Sequence, residues 1–280
     1  MADYKGIKGF KVQYLSADPS DPIIGQTWYN STSKDLKYTG ATAAASWATG
    51  NNMGTARYGL AGAGLQTAGL AFGGEVPPRT GATEEYDGST WASNPTGLNT
   101  VRSALAGAGT QTAALAFGGE GPPVIGATEE YNGSTWTSNP TGLNTARRAL
   151  AGCGTQTAAL AFGGLVPPNT GATEEYNGST WASNPTGLNT VRASLAGAGI
   201  QTAALGFGGY SGGNTGATEE YDGSTWTTSP ASLTTARRIL AGAGTQASAL
   251  AFGGQVTAAT AATEEYTGAG APLTKTITVS

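Results

Sequence analysis

Acidic residues come in pairs along this chain, at Glu84-Glu85, Glu129-Glu130, Glu174-Glu175, Glu219-Glu220 and Glu264-Glu265, each followed by tyrosine. Two carboxylates of unequal proton affinity are the equipment of glycoside hydrolysis, one donating a proton while the other attacks or activates water. Adjacent residues of a strand point to opposite faces of a sheet, so the two members of a pair cannot flank one glycosidic bond. Arginine recurs at Arg57, Arg102, Arg147, Arg192 and Arg237. The expectation is structural: one glutamate per repeat meets that arginine or backbone amides at the boundary between units. Histidine is absent from all 280 residues, which removes Ser-His-Asp and Cys-His catalysis and the usual zinc sites. Cys153, the single cysteine, occupies the column of Ala63, Ala108, Ala198 and Ala243 and reads as a small buried hydrophobe. The sequence therefore assigns no catalytic residue, no metal site and no cofactor.

The elements that position these residues repeat every 45 residues. Phe-Gly-Gly begins at Phe72, Phe117, Phe162, Phe207 and Phe252, and tryptophan stands at Trp47, Trp91, Trp136, Trp181 and Trp226. Self-similarity at a fixed period makes each repeat one unit that buries its faces against its neighbours. Within residues 102–140 two short Ala/Gly-rich runs are joined by Gly-Thr-Gln, and a third run ends at Tyr131. Asn132-Gly133 predicts a two-residue type I′ hairpin turn, and a fourth strand starts at the tryptophan and stops at Asn-Pro. Four antiparallel strands per 45 residues predict an all-β protein built as a β-propeller. The slim Ala/Gly strands suit the narrow end of each blade, and Tyr and Trp suit the wide end.

Gly118-Gly119, Tyr131, Trp136 and Arg147, repeated in five copies, resemble the kelch repeat over about four-fifths of the chain. The resemblance implies a kelch-like β-propeller and leaves function open, because propellers serve enzymes, scaffolds and receptors alike. Copy number predicts five blades. The copper centre of galactose-oxidase-like kelch enzymes needs imidazoles that this chain lacks. The last copy has no tryptophan after Tyr266, so residues 45–50 around Trp47 are expected to supply the outer strand of the fifth blade and close the ring. Tyr86-Asp-Gly-Ser-Thr-Trp91 nearly matches the Asp-box of sialidases, itself a structural hairpin.

The leader differs in character. Residues 1–46 carry five lysines against four aspartates, whereas the remainder is net acidic within a total charge of −4. Neither part shows the basic footprint of nucleic-acid binding, and no stretch of 18 apolar residues predicts membrane insertion. Residues 6–15 read as a strand, and Gly25 to Tyr38 as a hairpin turning near Ser31 to Lys34. Gly25-Gln-Thr-Trp-Tyr-Asn-Ser-Thr and Leu36-Lys-Tyr38 resemble short hairpins of tail and fibre proteins of tailed bacteriophages. With the Ala/Gly-rich repeats, the arrangement resembles virion proteins of marine phages. The resemblance implies a virion location, synthesis in the host cytoplasm, homo-oligomers in the particle, and attachment to other virion proteins through residues 1–40, with Trp28, Tyr29 and Tyr38 as anchors. The domains so read are a leader (1–40), a five-bladed propeller (41–272) and a C-terminal tail (273–280).

The copies differ most just after Phe-Gly-Gly, at residues 75–80, 120–125, 165–170, 210–215 and 255–260. These loops share a rim with the connections between repeats, and loops on a rigid scaffold carry recognition. Arg79, Val124, Asn169, Tyr210 and Asn214 are the candidate ligand-binding residues, with a host-surface glycan as the ligand. Three readings follow: a non-enzymatic virion structural protein, a free lectin-like propeller, and a glycan hydrolase, which the missing histidines and mispaired carboxylates disfavour.

Overall fold

In the first four repeats the tyrosine that ends a glutamate pair lies opposite the next tryptophan in the sheet, Tyr86 against Trp91, Tyr131 against Trp136, Tyr176 against Trp181 and Tyr221 against Trp226. A computed structural model describes residues 12–19, 27–32, 34–38 and 51–268, and every regular element in them is a strand. The described residues fall into two compact units, one in the leader and one holding the repeats.

In the leader, β1 (Gln13–Leu15) pairs in parallel with β2 (Thr27–Asn30), which pairs antiparallel with β3 (Asp35–Tyr38). The expected hairpin is present, and Lys34 takes the positive φ that its tight turn requires.

Each repeat forms its own antiparallel meander. The first holds β4 (Ala61–Leu65), β5 (Ala68–Phe72), β6 (Thr83–Tyr86) and β7 (Trp91–Asn94); the second holds β8 (Ala106–Gly109), β9 (Ala114–Phe117), β10 (Thr128–Tyr131) and β11 (Trp136–Asn139). The third comprises β12 (Ala151–Gly154), β13 (Ala159–Phe162), β14 (Thr173–Tyr176) and β15 (Trp181–Asn184), and the fourth β16 (Ala196–Ile200), β17 (Ala203–Phe207), β18 (Thr218–Tyr221) and β19 (Trp226–Thr228). The fifth stops at three strands, β20 (Ala241–Gly244), β21 (Ser248–Phe252) and β22 (Thr263–Thr267).

Two expectations are corrected here. The described residues contain six sheets, not five, because the leader folds a sheet of its own beside the five made by the repeat. The Asn-Gly turns are not two-residue hairpins. Strand pairing stops at Tyr131 and resumes at Trp136, leaving a four-residue loop in which Asn132 Oδ1 accepts from the amides of Ser134 (3.0 Å) and Thr135 (2.9 Å). Asp87 does the same with Ser89 and Thr90. A side chain that bonds the backbone two and three residues on offers an alternative to the tighter turn. The closing strand expected at residues 45–50 lies outside the described residues.

The core is a series of junctions in which one face of each sheet packs on the opposite face of the next. At the first, Ala61, Leu70 and Phe72 meet Ala114, Ala116, Tyr131 and Trp136. Phe72 and Trp136 stand 4.8 Å apart between ring centroids, and the pairs Phe117–Trp181 (4.9 Å) and Phe162–Trp226 (4.8 Å) repeat the contact. The small residues of the first strand allow this approach. A Cβ on Gly152 would stand 2.4 Å from Cζ of Phe117, so glycine is required where the ring presses on the strand. A backbone ladder also runs from repeat to repeat. Ala104 N donates to Gly59 O (2.7 Å), Ala149 N to Ala104 O (2.8 Å), Ser194 N to Ala149 O (2.7 Å) and Ile239 N to Ser194 O (2.8 Å). Among the described residues no hydrogen bond joins the two ends of that ladder, Gly59 N and Ile239 O.

Candidate functional site

The glutamate pairs are split between two tasks, as opposite faces of a strand dictate. The first glutamate meets the arginine of its own repeat. Arg102 Nη1 donates to Glu129 Oε1 at 2.7 Å, Arg57 to Glu84 at 2.7 Å and Arg192 to Glu219 at 2.5 Å, and Arg147–Glu174 and Arg237–Glu264 repeat the pair. Glu129 also accepts from the amides of Asn99 (2.6 Å) and Thr100 (3.1 Å), which fixes the incoming connection to the sheet. The arginine carbonyl in turn accepts from the preceding repeat, Gly74 N to Arg102 O at 3.0 Å. Burial pushes the Arg102, Arg147 and Arg192 guanidinium pKa values down, and the facing glutamates push back. Glu264 is held below the usual carboxylate range: burial acts upward, and hydrogen bonds from Arg237, Thr234 and Thr235 outweigh it.

The second glutamate crosses the junction. Tyr176 OH donates to Glu130 Oε1 at 2.5 Å, and Tyr131 to Glu85, Tyr221 to Glu175 and Tyr266 to Glu220 in the same way. Burial first, then the facing carboxylates, raise the Tyr131, Tyr176 and Tyr221 phenols far above their ordinary pKa. A tryptophan completes the first three junctions and a glutamine completes all four. The indole N–H of Trp136 donates to Thr83 Oγ1 (2.8 Å), and Gln111 Nε2 donates to the carbonyls of Gly69 (3.0 Å) and Tyr86 (2.7 Å). The glutamine series Gln111, Gln156, Gln201 and Gln246 was missed as a set of functional side chains in the sequence. Its signal was there, a long polar side chain held at period 45 in a turn that shorter residues could make. Cys153 is buried as read from its column, and burial pushes its thiol up to about 12.

The rim residues lie beside the connections between repeats, as the loop argument required: Leu98 N donates to Gly81 O at 2.8 Å, and Tyr58 and Glu75 exchange backbone bonds. Their polar groups reach across to the next repeat. Arg79 lies 3.6 Å from the Glu75 carboxylate and 3.3 Å from that of Glu120, with Nε donating to Ser103 Oγ at 3.0 Å. Arg148 reaches Glu120 from the other side. Asn169 Nδ2 donates to Tyr210 O (2.8 Å), and Asn214 Nδ2 to the carbonyls of Gln255 (3.2 Å) and Val256 (2.9 Å). The Tyr210 ring carries Arg238 over one face at 5.2 Å. Val124 makes a backbone bridge to Glu120. The five candidates thus share one rim, and all but Val124 link successive repeats.

The leader candidates separate. Trp28 is buried, with Nε1 donating to Asp18 Oδ1 at 3.0 Å, and Tyr29 stacks on the exposed Tyr14 at 5.1 Å. Lys37 first, then Asn30 and Trp28, hold Asp18 at about 2 through hydrogen bonds. Strand β3 ends at Tyr38, whose side chain lies outside the described residues. No group of three or more potential metal ligands occurs among the described residues, and none of their elements is a helix long and apolar enough to cross a membrane. Neither a protein-family model nor a curated protein matches this chain.

Proposed function

We propose that this chain is a non-enzymatic structural protein of a tailed-phage virion: a tail fibre, baseplate or capsid appendage. In this reading residues 1–40 attach it to other virion proteins, and kelch-like blades present a variable rim for attachment or recognition of a host-surface glycan. One observation carries the reading. The repeated charged, amide and aromatic side chains hold one sheet to the next, while sequence variation is greatest in the loops after Phe-Gly-Gly. That division of labour suits a rigid scaffold with an adaptable edge. The separate fold of the leader supports an attachment role distinct from the repeats. Quantitative peptide mass spectrometry on density-purified particles tests the proposal. Leader and repeat peptides are expected at a fixed ratio to the major particle proteins, and their absence from particles contradicts it. The partly exposed ring of Tyr210 on the rim favours one second reading, a free lectin-like protein. Glycan binding by a chain found only outside particles would favour that reading instead.

A further inference from the structure

At the first and second junctions the residue immediately after the buried arginine meets the residue that follows Phe-Gly-Gly in the preceding repeat. Ser103 Oγ lies 3.4 Å from Glu75 Oε2, and Arg148 pairs with Glu120, in each case 28 residues earlier in the chain. Arg238 holds the same position in the fifth repeat, and the residue 28 earlier is Tyr210. Its guanidinium lies over that ring, 5.2 Å from the centroid, where Arg148 has a carboxylate. The seven other arginines of the chain each pair with a glutamate. Arg238 has no carboxylate within ion-pair distance among the described residues.

The groups around Arg238 hold it and leave hydrogen-bonding capacity to spare. Its Nε donates to Gln255 Oε1 at 3.3 Å, and its two terminal nitrogens donate to no group among the described residues. Asn214 faces Tyr210 across a backbone bridge and turns Nδ2 to the carbonyls of Gln255 and Val256, which leaves Oδ1 an open acceptor among the described residues. The Tyr210 side chain is exposed, and its hydroxyl makes no hydrogen bond among the described residues. Gly212 and Gly213 stand where the first three repeats carry Pro-Pro, and a Cβ added to either would meet nothing within 4 Å among the described residues. The loop beside Tyr210 therefore leaves room for a ligand.

We propose that the rim between the fourth and fifth repeats binds a carboxylated sugar, a hexuronic or sialic acid unit of a surface glycan. The ligand carboxylate takes on Arg238 the place that Glu120 holds on Arg148, because a guanidinium fork matches two carboxylate oxygens. The Tyr210 ring beneath Arg238 holds the cation ready and lowers the cost of ordering it on binding. Tyr210 OH and Asn214 Oδ1 suit the hydroxyls of a sugar, which donate and accept in turn. The net charge of −4 draws no polyanion to the molecule at large, so the attraction is local to this cation. The inference rests on the reading of the rim as a glycan-binding edge and names the class of glycan.

Calorimetric titration of the full chain tests it, with trimers of galacturonate, glucuronate and mannuronate and with sialyllactose, each as free acid and as methyl ester. The unaltered chain is expected to bind at least one free acid about tenfold or more tighter than its ester, and the acid preferred separates hexuronate from sialic acid. Arg238→Gln is expected to erase that preference while leaving ester binding unchanged, and Arg238→Lys to restore part of it. Arg148→Gln, at a guanidinium already paired with Glu120, is expected to keep the preference. Circular dichroism melting checks that each variant folds. Equal binding of acid and ester overturns the carboxylate assignment and leaves the glycan reading of the rim standing. Binding of no sugar in either form overturns the proposal together with that reading. A preference that survives Arg238→Gln places the site elsewhere and overturns it. Oligoglutamate bound as tightly as the preferred sugar makes the site a general anion site and overturns it as well.

Discussion

Arg147 and Glu174 show how a repeat of low charge content places its few ions. Both are at most 1% exposed on their side chains, and the guanidinium also donates to Ala161 O at 3.3 Å. Removing one partner strands the other charge in the core, so Arg147→Met is expected to lower unfolding free energy by about 3–5 kcal/mol, measured by denaturant titration. Arg147→Met combined with Glu174→Leu is expected to recover most of that loss. The junction tyrosines add a pH dependence of definite sign. Their folded pKa lies above the ordinary 10.0, so the neutral phenol favours the folded state. That contribution is complete below the unfolded value and disappears as pH rises through the raised folded value. The melting temperature is therefore expected to hold to about pH 9 and to fall beyond about pH 10; a flat profile through that range would refute the role given to Tyr131, Tyr176 and Tyr221. At this scale the sequence was informative about absence of histidine and about the arginine–glutamate pair. It could not show that the second glutamate belongs to the next repeat's tyrosine, because that contact spans 46 residues and depends on sheet stacking.

Among the elements, the first strand of each repeat is the most constrained. Its glycine faces the phenylalanine of the preceding sheet, and the fit leaves no room for a methyl group. Gly152→Ala is expected to cost about 1–3 kcal/mol through overpacking against Phe117. Gly62→Ala, whose Cβ would meet only Leu70 O among the described residues, is expected to change stability by less than about 0.5 kcal/mol; paired melting curves compare the two. Equal effects would remove the stacking explanation for this glycine column. Strand number and order in the repeat were legible from alternating short runs and turn residues, since those signals are local. The turn after Tyr131 was misjudged because Asn-Gly favours a two-residue loop, whereas here Asn132 Oδ1 bonds two backbone amides and widens it to four. Gln111 escaped notice for a related reason: in a turn it looks like a linker, and only the neighbouring sheet reveals its acceptors.

For the whole molecule, the 45-residue period predicted stacked sheets, while the count and the ends required coordinates. Five repeats suggested five sheets, and the leader's own sheet makes six. The fifth repeat lacks a tryptophan after Tyr266, and a cavity of about 290 Å³ lined by Phe207, Thr218, Leu233 and Tyr266 opens at its junction with the fourth. Arg79, Asn169, Tyr210 and Asn214, singled out in the sequence by rim variation, also join one repeat to the next. Glu120 sits between Arg79 of the first repeat and Arg148 of the third, so Glu120→Arg is expected to weaken the joins of the second repeat to both neighbours by about 0.2–1 kcal/mol per lost pair, because these groups are partly exposed. The effect is expected to shrink as salt is raised, which thermal melting at two ionic strengths reads directly.

The central claim is that the repeated polar side chains hold sheet to sheet. It is tested most directly by a double-mutant cycle on Tyr176→Phe and Glu130→Gln, read from denaturant unfolding of the full chain. These residues lie in different repeats and meet only across the junction between the second and third sheets. The account predicts a coupling energy between about 0.5 and 3 kcal/mol. Effects that add to within about 0.3 kcal/mol would contradict it.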